Sequence, residues 1–310
     1  MRSWLLLFSC NFMWALQFTC IKLVQDQVGS LFTVWGPMTL ATVMLYPLVK
    51  LEAKSGEPKD KRSSGDILIF LLLAVVGVFP GQVLITWGTR VSLASNAALL
   101  MLTLPVSTAF LAFLFLHEKM TPIRWVSFGL AIIGVVMCSD IDFRTLNFGK
   151  GYLYGNVLIF LGTLGSAFYN SYGKKILERY SPTEMLFFTY LAMFVVMTPL
   201  TLAQEPRVFA NIPHFTVQTW IGLALLTFFH NYLSMVLFLK ALKQLDAIQA
   251  ALSNYLITFF GIPIAAIWLK EKLTSLAIIG GVLILGSTLM ITVWENRQAS
   301  RRYAEAPASQ

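Results

Sequence analysis

Apolar residues in this chain come in long unbroken stretches, not in the alternation of a half-buried strand. Stretches of about 20 residues with almost no charge recur from end to end, and a helix of that length crosses the roughly 30 Å hydrocarbon layer of a bilayer. Ten spans are expected, at about 3–23, 32–51, 67–88, 92–116, 123–140, 152–173, 184–203, 217–239, 247–269 and 275–294. In lipid the backbone must satisfy its own N–H and C=O groups, which leaves helices or a closed barrel. The period-two pattern of a membrane barrel is absent. The pattern predicts an all-α integral membrane protein with ten transmembrane helices.

Composition agrees: 57% of residues are apolar and 12% charged, against roughly 25% charged in soluble domains. The net charge of +8 matters through its placement. Lys and Arg collect on the cytoplasmic side of short loops. Numbering the spans puts Lys22, Arg90, Arg144, Lys150, Arg207, Lys270 and Lys272 on one side and all the other Lys and Arg residues on the opposite side. Both termini are therefore expected in the cytoplasm. The basic groups would face anionic lipid headgroups, so the charge needs no nucleic acid. No small-residue cleavage site follows "WALQFTC", so the first span is read as retained. The polar stretch at 297–310 is expected to be a disordered tail. Cys10, Cys20 and Cys138 fall in or at the ends of spans and are expected to pack as small apolar groups.

The stretch "LHEKMT" (116–121) ends one apolar run, and "LKEKLT" (269–274) ends another 153 positions later. Sliding the chain by this offset also places Ala94 on Ala247, Ala97 on Ala250, Met137 on Met290 and Lys22 on Lys175. Each copy holds five spans. Because five is odd, the second copy must lie upside down, giving two inverted five-helix repeats at 1–147 and 148–296 with a binding site near the midplane between them. Locally, Thr121 before Pro122 reads as a helix N-cap, and the Glu and Lys read as helix-end anchors. "HE" begins no zinc site, since no second His follows at the required spacing. No metal ligand set and no cofactor motif emerges.

These endings, with the Gly-rich spans "VSFGLAIIGVVM" and "AIIGGVLILGSTLM", resemble the EamA-type branch of the drug/metabolite transporter superfamily. The resemblance covers nearly the full chain. It implies a central cavity lined by spans one, three, four, six, eight and nine, spans five and ten packed at the ends, and alternating access by rocking of the halves. It also implies a bacterial cytoplasmic (inner) membrane.

Polar residues inside lipid are functional candidates by default. The candidates for substrate binding are Asn11, Trp14, Gln17, Phe79, Gln82, Asn170, His230, Asn231, Tyr232, Asn254 and Tyr255. Their alternative is hydrogen bonding between helices, worth about 0.6 kcal/mol each. That alternative is favoured for Asn96 and Gln249, near helix ends. The 153-residue offset pairs Gln17 with Asn170 but sets His230 on Gly77, Trp14 on Ala167 and Asn254 on Met101. A site for one molecule must break symmetry, which singles out those three.

No Asp, Glu, Lys or Arg lies in the interior of any span. Proton-driven cation antiport lacks its carboxylate, and anionic solutes lack a cationic ligand. A neutral or zwitterionic metabolite such as an amino acid remains, carried by an exporter or facilitator. Aromatic faces keep quaternary-ammonium or other organic cations open. His230 is the mid-membrane group able to titrate near neutrality. A membrane-embedded enzyme for lipid-linked substrates would need clustered ionisable or nucleophilic groups, whereas His117, His214 and His230 fall on different segments. The expected partners are a small-molecule solute and membrane lipids. One chain has spans enough for a complete cavity, so a functional monomer is expected.

Overall fold

The structure is a computed structural model, and it describes residues 2–54, 64–91, 100, 103–138, 153–257, 259–260, 264 and 275–305. Every regular element among the described residues is helical. The first span breaks into α1 (Arg2–Ala15) and α2 (Gln17–Val24). It is followed by α3 (Ser30–Lys54), α4 (Ser64–Leu72), α5 (Ile85–Val91), α6 (Thr103–Leu116) and α7 (Pro122–Cys138). The chain continues with α8 (Leu153–Ile176), α9 (Pro182–Gln204), short α10 (Pro206–Asn211), α11 (Val217–Leu225), α12 (Ser234–Gln244), α13 (Ala247–Ser253) and α14 (Ser275–Glu305). Four continuous helical stretches are long and apolar enough to cross a membrane: Ser30–Glu52, Gly65–Gly88, Pro182–Gln204 and Val217–Gln244. The start of α9 shows why such helices begin where they do: Ser181 is extended and its side chain accepts the Glu184 N–H, with Pro182 in the first turn.

Two of the long stretches are not plain α-helix. Between α4 and α5 the chain widens into π-helix at Leu73–Val78 and again at Pro80–Leu84. Between α11 and α12 it does so at Leu226–Leu233. Pro80 lacks an N–H and pushes on the preceding turn, which favours the wider winding in the first case. In the second, Asn231 Nδ2 donates to the Leu226 carbonyl five residues back at 2.9 Å, and Ser234 Oγ donates to the His230 carbonyl. The two π stretches start 153 residues apart, at Leu73 and Leu226.

Hydrogen bonds between distant segments sort the turns into two ends. At one end Ser3 Oγ donates to Gln244 Oε1 (2.5 Å), Ser181 Oγ to Glu52 Oε2 (2.6 Å) and Lys174 Nζ to the Leu242 carbonyl (2.7 Å). At the other, Gln27 Oε1 accepts from the Thr216 N–H (2.8 Å) and the Thr219 hydroxyl (2.6 Å). There too the Glu205 carboxylate accepts the N–H groups of Leu31 (2.9 Å) and Phe32 (3.0 Å), capping α3. Helices α7 and α14 pack together. Ser127 Oγ donates to the Ser287 carbonyl (3.0 Å), and a Cβ on Gly134 would lie 2.7 Å from the Gly280 carbonyl.

Several expectations need correction. The stretch expected to be disordered from 297 is helical as far as Glu305, because "ENRQASRRYAE" holds good helix formers and no breaker before Pro307. Residues 306–310 lie outside the described residues. The glycines of the Gly-rich spans five and ten are not equivalent: Gly134 sits at a close approach, but a Cβ on Gly129 or Gly286 would meet nothing within 4 Å. Cys10 and Cys20 are free and buried.

Candidate functional site

In the half of the molecule nearer the Gln27 end, a small enclosed cavity gathers side chains from α2, α3, the second π stretch of span three with α5, and the π stretch of span eight. Its walls are Gln17, Ile21, Thr33, Val34, Gln82, Thr86, Leu226, His230 and Asn231. The volume is about 10 Å³, room for one water-sized group. No charged side chain lines it.

Four of the expected residues meet here: Gln17, Gln82, His230 and Asn231. The others do not line the cavity. Asn11 is fully buried and donates to the Leu7 carbonyl (2.8 Å) and Ser253 Oγ (3.0 Å), a bond between helices. Trp14 packs its ring on Phe238 (centroids 5.0 Å apart), and its Nε1 has no partner. Phe79 packs on the main apolar core, and Tyr232 leans on Phe228. Asn170 is buried on α8. Asn254 and Tyr255 are buried at the end of α13, where Asn254 Oδ1 and the Tyr255 hydroxyl have no partner and the Tyr255 ring meets Phe128 edge-on. Gln249, expected to bond between helices, instead caps its own helix by accepting the Asp246 N–H (3.2 Å), because the first turn of a helix leaves N–H groups without partners within reach of its side chain. Asn96 lies outside the described residues.

The cavity also uses Thr33 and Thr86, which no sequence signal had set apart, since a Thr that donates back to its own helix is ordinary in a membrane span. Their hydroxyls donate to the Gly29 and Gln82 carbonyls, each at 2.7 Å. The Asn231 amide is fixed likewise: its Nδ2 donates to Leu226, while its Oδ1 lies 3.5 Å from the Tyr190 hydroxyl, which also donates to the Asn231 carbonyl at 3.1 Å. With these hydroxyl protons directed into the backbone, Thr33 and Thr86 keep oxygen lone pairs free to accept a hydrogen bond, and the Asn231 amide lines the cavity with them. His230 is buried and its Nδ1 has no hydrogen-bond partner. A buried polar atom left unpaired is costly, so Nδ1 is available to a group entering the cavity. Among the described residues no group of His, Cys, Asp and Glu forms a metal site.

The EamA-like transporter family matches residues 1–139 and 153–293. The chain belongs to that family. Across 292 residues it is 26% identical to a probable terminal-alkyne amino-acid exporter of Streptantibioticus cattleyicolor, covering 93% of each chain. Across 265 residues it is 26% identical to an S-adenosylmethionine uptake transporter of Rickettsia felis, covering 85% of this chain and 83% of the relative. A crystal structure 12% identical in sequence superposes with a TM-score of 0.78, covering 96% of this chain and 98% of that one, and so shares the fold. The family and these relatives are transporters rather than enzymes, which sets aside the lipid-enzyme alternative.

The resemblance implied a cavity lined by spans one, three, four, six, eight and nine. The cavity described here takes residues from spans one, three and eight and adds the start of span two. It is also too small for a metabolite.

Proposed function

We propose that this member of the EamA-like family is a secondary transporter, an exporter or facilitator, for a small neutral or zwitterionic metabolite of the amino-acid kind. The observation that carries the reading is the uncharged polar cavity. Its fixed acceptors at Thr33 and Thr86 suit the ammonium of a zwitterion, and the Gln17 and Gln82 amides can turn their donors to its carboxylate. The organic-cation alternative rested on aromatic faces, and among the described residues no Phe, Tyr or Trp lines the cavity. The amino-acid exporter among the relatives supports the same class.

The movement we infer is alternating access between two inverted five-helix repeats, 1–147 and 148–296, in a ten-span monomer. Reciprocal contacts support the duplication. The 153-residue offset carries Glu52 to Glu205, and each carboxylate sits at the start of the other repeat's long helix: Glu52 at Ser181 before α9, Glu205 at α3. It also carries the Ser127–Ser287 contact to Gly280–Gly134, the other close approach of α7 and α14. The end holding Ser3, Lys174 and Gln244 carries most of the expected cytoplasmic Lys and Arg. We assign that end to the cytoplasm, with both termini, in an inner membrane.

The test is solute release. Proteoliposomes preloaded with neutral amino acids, sugars, nucleosides and quaternary amines are sampled by mass spectrometry against protein-free vesicles. We expect selective loss of neutral amino acids, lowered by His230→Gln. Selective loss of quaternary amines alone, or no selective loss under any ion gradient, would sink the reading.

A further inference from the structure

Away from the cavity, at the end assigned to the cytoplasm, a cluster of charged groups ties the α6–α7 turn of the first half to the α12–α13 turn of the second. Both carboxylate oxygens of Glu118 accept backbone N–H groups of the first turn of α13, from Ala247 at 2.8 Å and Ile248 at 3.0 Å. These are donors with no partner inside their own helix, so a carboxylate satisfies them and meets the positive end of the helix dipole. Arg124 is 4% exposed. Its Nη2 pairs with Asp246 Oδ2 at 2.5 Å, and its Nη1 donates to the Lys119 carbonyl at 3.0 Å, which holds the turn that carries Glu118. Lys174, at the end of α8, donates to the Leu242 carbonyl (2.7 Å) and the Lys243 carbonyl (3.0 Å) at the close of α12.

We propose that Arg124, Asp246 and Glu118 form a latch that closes the cytoplasmic end of the transport path, and that the ion pair makes closure of this end the resting preference. The clue is a break in the repeat. Under the 153-residue offset, Arg124 falls on Ala277 and Asp246 on Leu93. The opposite end therefore cannot form the equivalent ion pair, although its Glu205 caps α3 as Glu118 caps α13. Opening the cytoplasmic end must separate a guanidinium with little solvent exposure from its carboxylate, a step that the matching positions of the other end, Ala277 and Leu93, do not impose. The role in transport rests on the function proposed above, while the coupling of these residues does not. All three are positioning residues, since none touches the cavity.

The test uses the full chain in lipid nanodiscs. Hydrogen exchange is followed by mass spectrometry at the amides of Ala247 and Ile248 in the native chain, Arg124→Gln, Asp246→Asn and the double variant, with solute release measured in parallel. Asn remains a good helix N-cap, so Asp246→Asn removes the charge and keeps the start of α13. We expect each single variant to exchange about tenfold faster, with the double variant no faster than either single, as for residues acting through one contact. Should Arg124→Gln fail to fold, Asp246→Asn alone decides, because Asp246 is half exposed. Unchanged exchange, or increments that add in the double variant, would overturn the latch. Absent solute release in every chain would instead refute the transporter reading and leave the exchange result to stand.

Discussion

Asn11 and Asn231 are both buried amides within apolar spans, yet their surroundings give them different work. Asn11 spends its Nδ2 on the Leu7 carbonyl and on Ser253 of α13, so Asn11→Ala should cost about 0.6 kcal/mol of stability and leave solute release intact. Asn231 lines the cavity, so Asn231→Ala should lower release on the order of tenfold or more. Thermal unfolding alongside the release assay separates the two. Sequence marked both as expensive in lipid but could not say which faced the cavity, because that depends on the rotation of each helix about its axis. Glu118 gives a pH effect with a definite sign. Burial raises its carboxyl above the ordinary 4.5, against the opposing pull of the Ala247 and Ile248 N–H groups; Asp246 raises it further and Arg124 lowers it. Lys174 faces the same cluster. A proton is therefore held more tightly when the latch is closed than when Glu118 is solvated. The Glu118 contribution alone favours closure most below pH 4.5 and is lost as pH rises through the raised value. In the Asp246→Asn chain, where the ion pair no longer titrates, exchange at Ala247 and Ile248 at matched intrinsic rates should slow on acidification, and adding Glu118→Gln should flatten that dependence.

At the scale of the element, existence was legible and internal geometry was not. Apolar run length placed the long helices, but nothing in the pattern announced π-helix at Leu73–Val78 or Leu226–Leu233. π winding depends on which carbonyl a side chain such as Asn231 can reach and on what packs beside the wider turn. Helix α8 supplies that partner: a Cβ on Gly165 would lie 2.7 Å from Pro80 Cβ and 3.0 Å from the Gly77 carbonyl. Glycines show the same limit. Gly129 and Gly134 sit on one helix and read alike in sequence, but only Gly134 faces α14. Gly134→Leu should separate α7 from α14 and lower the Tm by several degrees, while Gly129→Leu should leave it nearly unchanged, both measured by thermal unfolding in detergent.

For the molecule as a whole, the sequence by itself determined the solvent, the helical class, the 153-residue repeat and the exclusion of charged ligands from the span interiors. These follow from free energies local to each segment: apolar length against bilayer thickness, and the cost of charge in lipid. Only the tertiary structure decided which polar groups converge. Gln17, Thr33, Gln82, Thr86, His230 and Asn231 come from segments far apart in the chain, and their meeting depends on helix rotation and packing. The repeated Glu-Lys ending illustrates the division. Its letters recur 153 positions apart, but that Glu118 reaches the start of α13 was visible only in the folded chain, because a hydrogen bond between residues 129 positions apart leaves no periodic trace in sequence.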